Sequence, residues 1–367
     1  MTREPLRIII AGGGTGGHLY PGVAVARELL SREPDALVTF AGTAKGIESR
    51  VVPKEGFALD LLRSSGLKGK SLVDRVRGAL TVPAGLRDAW NIIAARRPHL
   101  VLGVGGYSSG PVVLIAALRG VPTMLIEQNA VPGLTNRLLS FVVRAAGVTF
   151  ESTREFFGDK AFVSGNPVRP EFIEVGRRST EAGANERTSA IQVLVFGGSQ
   201  GAHAINVAMV EAAAKLASGP ALRLSHQTGE RDVDMVRAAY GAAGLHAEVE
   251  PFFYDMGRRV HEADLIVCRA GATTIAELTA AGKAAILIPL PTATDDHQRK
   301  NAEALAAAHA AEVLLQTDAN GTALAARIAA LAGDQQRRAQ LEEGARALAR
   351  PGAAQVIVDR MLELAAC

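Results

Sequence analysis

The stretch IIIAGGGTGGHLYPG, Ile8 to Gly22, passes from an apolar run into five glycines among six residues and reaches His18 before any other large side chain. Gly12, Gly14 and Gly17 satisfy G-x-G-x-x-G directly after a predicted strand, so backbone N–H groups at a helix N-terminus can receive a phosphate or diphosphate. His18 adds an imidazole able to take up a proton near neutral pH, the chemistry of a general base, although a histidine on a first helical turn can equally pack or hydrogen-bond there. Tyr107 and Glu127 fall on loops after other predicted strands and can orient or replace that histidine; Glu127 can also be a buried carboxylate supporting the turn of EQN. A second stretch, LVFGGSQGAH, superposes on IIAGGGTGGH without a gap and sets His203 over His18. Within it Ser199 and Gln200 would sit at a helix N-terminus beside a diphosphate, with Ser199 alternatively a simple N-cap.

Other uses of a glycine loop fit less well. A dinucleotide site wants an acidic residue at the end of the second strand to hold the ribose diol, yet LVTFAGTAKG ends in Gly42, Thr43 and Lys45. A P-loop wants Gly-Lys-Ser/Thr where this chain has Gly-His-Leu, so no lysine is placed to reach a terminal phosphate. Nicotinamide and NTPase chemistry are both disfavoured. Further glycine turns close other predicted strands in GVGGYSSGP and CRAGATTIAE, the edge where doubly wound sheets bind ligands.

The elements that must position these residues alternate in βαβ rhythm. LRIIIAG, LVTFAG, HLVLGVG, PTMLIEQ and AGVTFES read as strands in the first half, and IQVLVFGG, LRLSHQ, DLIVCRAG and AAILIPLP in the second. At 367 residues, 48% of them hydrophobic, the chain is long enough for two α/β cores. The crossing is placed at Pro167 in GNPVRP, giving domains of residues 1–167 and 168–352, with a terminal helix over 353–366 free to return to the first after ARPGAA. Residues 176–189, GRRSTEAGANERTS, read as a polar surface loop. Only 4% of residues are aromatic and the net charge is +3, a poor basis for stacking or phosphate-backbone contacts, so nucleic acid is not an expected partner. Cys268 and Cys367 make neither a disulfide framework nor a zinc site, and no uncharged apolar run is long enough to span a bilayer. The N-terminal MTREPLRIII enters a strand at once and does not read as an export signal, so a reducing cytoplasm is expected.

Taken in order, GGGTGGHLYPGVAVA, SGLKGK, GVGGYSSGP, EQNAVPGLTNR, GNPVR, FGGSQGAHAIN, CRAGATTIAEL and DDHQRKNA resemble the MurG family, bacterial transferases that convert lipid I to lipid II with UDP-N-acetylglucosamine as donor. The resemblance spans nearly the whole chain. It implies a GT-B fold of two Rossmann-like, doubly wound parallel-sheet domains facing a cleft, the acceptor mainly in the N-terminal domain and the donor nucleotide mainly in the C-terminal one. It implies an inverting, metal-independent transfer in which the C4 hydroxyl of the muramoyl sugar attacks the anomeric carbon and UDP leaves, with no cofactor. Without a metal, the diphosphate would be met by amides, helix N-termini and an arginine, and Arg169 of GNPVR is the matching one, if not a linker-surface ion pair.

The same resemblance places donor contacts at Thr15, Gly16, Gly17 and Asn129 on the N-terminal side. On the C-terminal side it places them at Arg169, Ser199, Gln200, the backbone of Phe253, residues Ala272, Thr273, Thr274, Ile275, Ala276 and Glu277, and Gln298. Glu277 has two readings, closing a Thr274-x-x-Glu277 capping box or accepting the ribose diol, and the family match favours the diol. Gln298 suits reading sugar hydroxyls because an amide both donates and accepts, while His297 beside it departs from a paired-glutamine form of the motif. A lipid-linked acceptor implies peripheral attachment to anionic lipid on the cytoplasmic face of the inner membrane, with cell-wall synthesis and division proteins as partners. Leu72, Val73, Val76, Leu80 and Val82, mixed with Lys68, Lys70, Arg75, Arg77 and Arg87, suit such a surface and equally an ordinary amphipathic helix. Two alternatives accompany this reading: another GT-B sugar-nucleotide enzyme such as a UDP-N-acetylglucosamine 2-epimerase, and a non-catalytic two-lobed ligand-binding protein.

Overall fold

A computed structural model describes residues 4–64, 72–173, 190–198 and 200–366, with side chains in its long third helix from residue 82 onward. The polar loop read at 176–189 lies outside the described residues, as does Cys367. The chain divides into two compact units, Met1–Val168 with Arg350–Cys367, and Arg169–Ala349.

In the first unit β1 (Arg7–Ala11), β2 (Leu37–Gly42), β3 (Ala58–Leu61), β4 (Leu100–Gly103), β5 (Thr123–Glu127), β6 (Ala145–Val148) and β7 (Ala161–Val163) form one parallel sheet in the order β3-β2-β1-β4-β5-β6-β7. The order reverses between β1 and β4, so the loops leaving those two strands diverge and open a crevice at the carboxyl edge. The helices are α1 (Gly16–Arg32), α2 (Glu48–Lys54), α3 (Leu72–Arg96), α4 (Ser109–Leu118), α5 (Leu134–Leu139) and α6 (Glu151–Phe157). Apolar runs become central strands here because alternate residues feed two separate cores. Ile8, Ile10, Leu100, Leu102, Met124 and Ile126 join Leu19, Val23 and Leu29 of α1 in one layer, while Ile9, Ala11, Val101 and Leu125 join Val112 and Val113 of α4 in the other. The C-terminal helix Ala353–Ala366 completes the first layer with Ile357, Val358 and Met361, each buried side chain contributing about 1.5–3 kcal/mol.

The second unit repeats the plan. Its strands β8 (Ile191–Phe196), β9 (Leu222–Gln227), β10 (His246–Glu250), β11 (Leu265–Cys268), β12 (Ala285–Leu287) and β13 (Glu312–Val313) run parallel in the order β10-β9-β8-β11-β12-β13, with the reversal between β8 and β11. Its helices are α7 (His203–Ala217), α8 (Val233–Ala242), α9 (Met256–Glu262), α10 (Ala272–Ala281), α11 (His297–Ala307), α12 (Gly321–Gly333) and α13 (Gln335–Leu348). Two doubly wound parallel-sheet α/β units are therefore what the apolar runs predicted.

Four strands carried no such signal: β3, β7, β10 and β13, the two edges of each sheet. ALDL, AFV, HAEVE and EV keep most of their positions at least partly exposed, whereas every residue of β4, β5 and β11 is buried. An edge strand is covered on fewer sides, so its sequence need not be a continuous apolar run.

Candidate active site

The first glycine loop is held from inside by a carboxylate. Glu48, the first residue of α2, is fully buried, and its Oε2 accepts the Gly14 N–H at 2.8 Å while Oε1 accepts the Thr43 N–H at 2.8 Å and the Thr43 hydroxyl at 2.9 Å. At Gly13, whose φ is +147°, a Cβ would stand 2.5 Å from that carboxyl carbon, so only glycine admits Glu48. Thr15 caps α1 through its carbonyl, which accepts the N–H groups of His18 at 3.3 Å and Leu19 at 3.2 Å; its exposed hydroxyl makes no capping bond. Gly16 and Gly17 open the first turn, where N–H groups lack intrahelical acceptors and can serve an anion. The Tyr107 ring, on the loop after β4, lies 3.3 Å from where a Cβ on Gly14 would be.

His18 stands on that turn with Nδ1 3.4 Å from Oε1 of the buried Gln128, which directly follows β5. The Gln128 Nε2 donates to the Val104 carbonyl at 2.9 Å, which leaves the amide oxygen as the atom facing the imidazole. In that pair Nδ1 is the donor and the amide oxygen the acceptor. Glu127 is occupied differently. Its Oε1 accepts the Asn129 N–H at 3.0 Å and the Asn129 Nδ2 at 3.2 Å, and its Oε2 accepts the Gly133 N–H at 3.0 Å and the Asn136 Nδ2 at 2.8 Å. With three donors from its own loop and a fourth from Asn136 of α5, it organises the segment that presents Asn129.

In the second unit an amide holds the glycine loop. Gln227, buried at the end of β9, donates from Nε2 to the Gly198 carbonyl at 2.9 Å and accepts the Phe253 N–H on Oε1 at 2.8 Å. The Phe253 ring is itself buried, with the Arg259 guanidinium 3.7 Å from its centre. Gln200 is exposed on the loop, and Ser199 lies outside the described residues. Ala272, Thr273 and Thr274 form the first turn of α10 after Gly271, followed by the buried Ile275 and Ala276.

The capping box read at Thr274 and Glu277 does not form. The α10 N-cap is Gly271, and Glu277 instead accepts from Arg169 Nε at 3.0 Å and Nη2 at 2.8 Å on Oε1. Burial raises the Glu277 carboxyl to about 7, and the attraction of Arg169 only partly opposes that rise. Arg169 also meets Glu171 at 3.1 Å and lies 4.7 Å from the Phe172 ring centre. Gln298, in the first turn of α11, accepts the Leu290 N–H on Oε1 at 3.0 Å, so its NH2 group is the part left to donate outward.

Sequence inspection missed Glu48, Gln128 and Gln227, the residues that hold the loops and the histidine. For Gln128 and Gln227 the available signal is an amide or acid ending a buried strand; Glu48 carries none of its own. Lys68 and Lys70 lie outside the described residues, as do the side chains of Leu72, Val73, Arg75, Val76, Arg77 and Leu80, while Val82, Arg87 and Trp90 of α3 are exposed. Among the described residues no helix is long and apolar enough to cross a membrane, and no three His, Cys, Asp or Glu side chains gather as a metal site.

Comparison with known proteins agrees with this layout. Residues 8–148 match the glycosyltransferase family 28 N-terminal domain, and residues 192–357 match the family 28 C-terminal domain. The chain is 47% identical to a Pelobacter propionicus protein named UDP-N-acetylglucosamine--N-acetylmuramyl-(pentapeptide) pyrophosphoryl-undecaprenol N-acetylglucosamine transferase, over 97% of this chain and 99% of that one. It is 46% identical to the Myxococcus xanthus protein of the same name, over 98% and 93%. The crystal structure of Acinetobacter baumannii MurG superposes with a TM-score of 0.82 at 31% identity, covering 98% of this chain and all of that one. A Neisseria meningitidis UDP-GlcNAc 2-epimerase bound to UDP-GlcNAc gives a TM-score of 0.67 at 13% identity, a likeness of fold alone.

Proposed function

The chain belongs to glycosyltransferase family 28, and from that premise we propose that it transfers N-acetylglucosamine from UDP-N-acetylglucosamine to the muramoyl C4 hydroxyl of lipid I, forming lipid II. The observation that carries this reading is 47% identity along 97% of the chain to a transferase of that name, joined to a glycine loop at the carboxyl edge of each sheet.

The reaction is read as inverting and metal-independent. In the acceptor unit, residues 1–167 with the terminal helix, the lone pair on His18 Nε2 takes the hydroxyl proton as the acceptor oxygen attacks the anomeric carbon. Gln128 fixes the tautomer and Glu127 shapes the loop carrying Asn129. In the donor unit the charge gathering on the departing diphosphate is met by Arg169, by Ser199 and Gln200 on the glycine loop, and by N–H groups at the start of α10. Each well-aimed donor of this kind supplies about 3–4 kcal/mol. Donor binding also requires an exchange of partners: Arg169 turns from Glu277 to phosphate, and the freed Glu277 carboxylate accepts the ribose hydroxyls. Gln298 offers its NH2 group to the sugar.

Attachment to anionic lipid on the cytoplasmic face is supported by the exposed Trp90 and Val82 on the basic helix α3, and by the exposed Leu134, Leu138 and Phe141 beside Arg137 in the same unit. Protein partners from cell-wall synthesis and division follow from that location.

The test supplies radiolabelled UDP-N-acetylglucosamine to lipid I in anionic vesicles, with and without EDTA. A chelator-resistant β-1,4-linked lipid product and sedimentation with the vesicles are expected. Absence of labelled lipid despite UDP binding would sink the transferase reading; loss of product in EDTA would sink metal independence alone.

A further inference from the structure

The second unit holds a chain of polar side chains that the reaction above leaves unused. His203, the first residue of α7, has Nδ1 2.9 Å from Oδ2 and 3.0 Å from Oδ1 of Asp232, the residue before α8. Asn206 donates from Nδ2 to Asp232 Oδ2 at 2.8 Å and to the Thr228 carbonyl at 2.9 Å. Its Oδ1 lies 3.0 Å from Nε2 of His226, whose Nδ1 lies 2.8 Å from the Tyr240 hydroxyl.

Each link admits one direction. Since both Asn206 N–H groups are taken, its oxygen accepts from His226 Nε2–H, and His226 Nδ1 accepts from Tyr240. His226 is held neutral, its pKa driven down to about 3 by burial. Asp232 is 5% exposed; burial pushes its carboxyl up, but hydrogen bonds from Asn206 and His203 outweigh that and keep it below the ordinary range. Asp232 is therefore an acceptor and His203 Nδ1 is a donor. The other His203 nitrogen, Nε2, belongs to a half-exposed ring at the end of the glycine loop. The β9 loop that carries Asp232 packs backbone to backbone on that glycine loop: a Cβ on Gly201 would run into the Thr228 carbonyl, and one on Gly229 into the Gln200 carbonyl. Charged neighbours on the same segment are Arg231, with Nε 3.8 Å from Asp232, and the exposed Glu230 and Asp234 on either side.

We propose that His203 is a further donor-binding residue: Asp232 holds its Nδ1–H, its Nε2 meets the diphosphate seated on the adjoining glycine loop, and the ring takes up a proton as the nucleotide arrives. This rests on the donor-site reading above. The chemistry follows from charge, because an imidazole between a fixed carboxylate and an incoming diphosphate is best satisfied with a hydrogen on each nitrogen. As the bond from the anomeric carbon to the diphosphate oxygen breaks and its electron pair passes to that oxygen, Nε2–H hydrogen-bonds the leaving group and keeps its proton. Asp232 is the positioning residue.

The experiment measures binding of uridine, UMP and UDP by calorimetry at pH 6 and pH 8 to the full chain, to His203→Gln and to His203→Arg. The wild type should lose UDP affinity as pH rises while uridine binding stays level. His203→Gln should bind UDP about tenfold more weakly at pH 6, leave uridine unchanged and abolish the pH dependence. His203→Arg, with a permanent charge, should keep UDP affinity at both pH values. Wild-type UDP affinity and pH dependence in His203→Gln, or a fall in uridine binding equal to that for UDP, overturns the inference. Failure of the wild type to bind UDP at all overturns the donor-site reading and this inference with it.

Discussion

The two glycine loops start from matching strands and end in matching histidines, yet the polar groups that serve them are exchanged. In the first unit a carboxylate, Glu48, holds the loop backbone and an amide, Gln128, faces His18. In the second an amide, Gln227, holds the loop and a carboxylate, Asp232, faces His203. An amide oxygen offers an imidazole N–H a neutral acceptor, whereas a carboxylate offers it a charged one that also attracts positive charge. In the roles proposed above one histidine serves the acceptor and the other the diphosphate, and what sets them apart is the neighbour of each.

The sharpest way to break that contrast is at the first histidine. His18→Ala should lower turnover by about 10²–10⁴-fold at saturating substrates while UDP binding by calorimetry stays at the wild-type value. Turnover within a few-fold of wild type would remove His18 as the base, and a parallel loss of UDP affinity would make it a second His203.

Next in size is the buried acid of the first loop. Glu48→Gln turns an acceptor-only group into one that must point N–H at the Gly14 or Thr43 N–H groups, leaving a buried donor unpaired. A loss of about 1–3 kcal/mol in urea unfolding is expected. Unchanged stability would mean that the loop does not need an acceptor there.

A third effect concerns Glu277, where function and stability should part. Its native carboxyl titrates near 7 against an ordinary value of 4.5, so the protonated form stabilises the fold below about 4.5 and that contribution disappears as pH rises through 7. The cost at pH 8 is on the order of 3 kcal/mol or less, which Glu277→Gln does not incur. The variant should gain thermal stability relative to wild type between pH 5 and pH 8 while binding UDP-N-acetylglucosamine more weakly. A stability difference that stays flat over that range would show that Glu277 is ionised throughout.

Much of this was legible beforehand because of how burial acts on composition. Ile8 to Ile10, Leu100 to Leu102 and Leu265 to Cys268 are covered on both faces, which demands uninterrupted apolar residues that the eye can find. The glycine loops stand out for a similar reason: a position such as Gly13, with a carboxyl against its Cα, tolerates no side chain. The edges β3, β7, β10 and β13 escaped notice since the lattice of hydrogen bonds from one neighbouring strand suffices for them, whatever their side chains.

The sequence by itself determined two parallel α/β units, the places where phosphate-type loops end their strands, and the side-chain types gathered there. Only the tertiary structure decided which partner each ionisable group received. Glu277 looked like half of a local capping box and instead joins Arg169, 108 positions away; His18 finds Gln128 at a separation of 110. Local patterns are visible because they arise within one turn of helix or one strand. Proton affinity is set by whatever the sheet order brings within hydrogen-bond reach, and that order is a property of the folded chain.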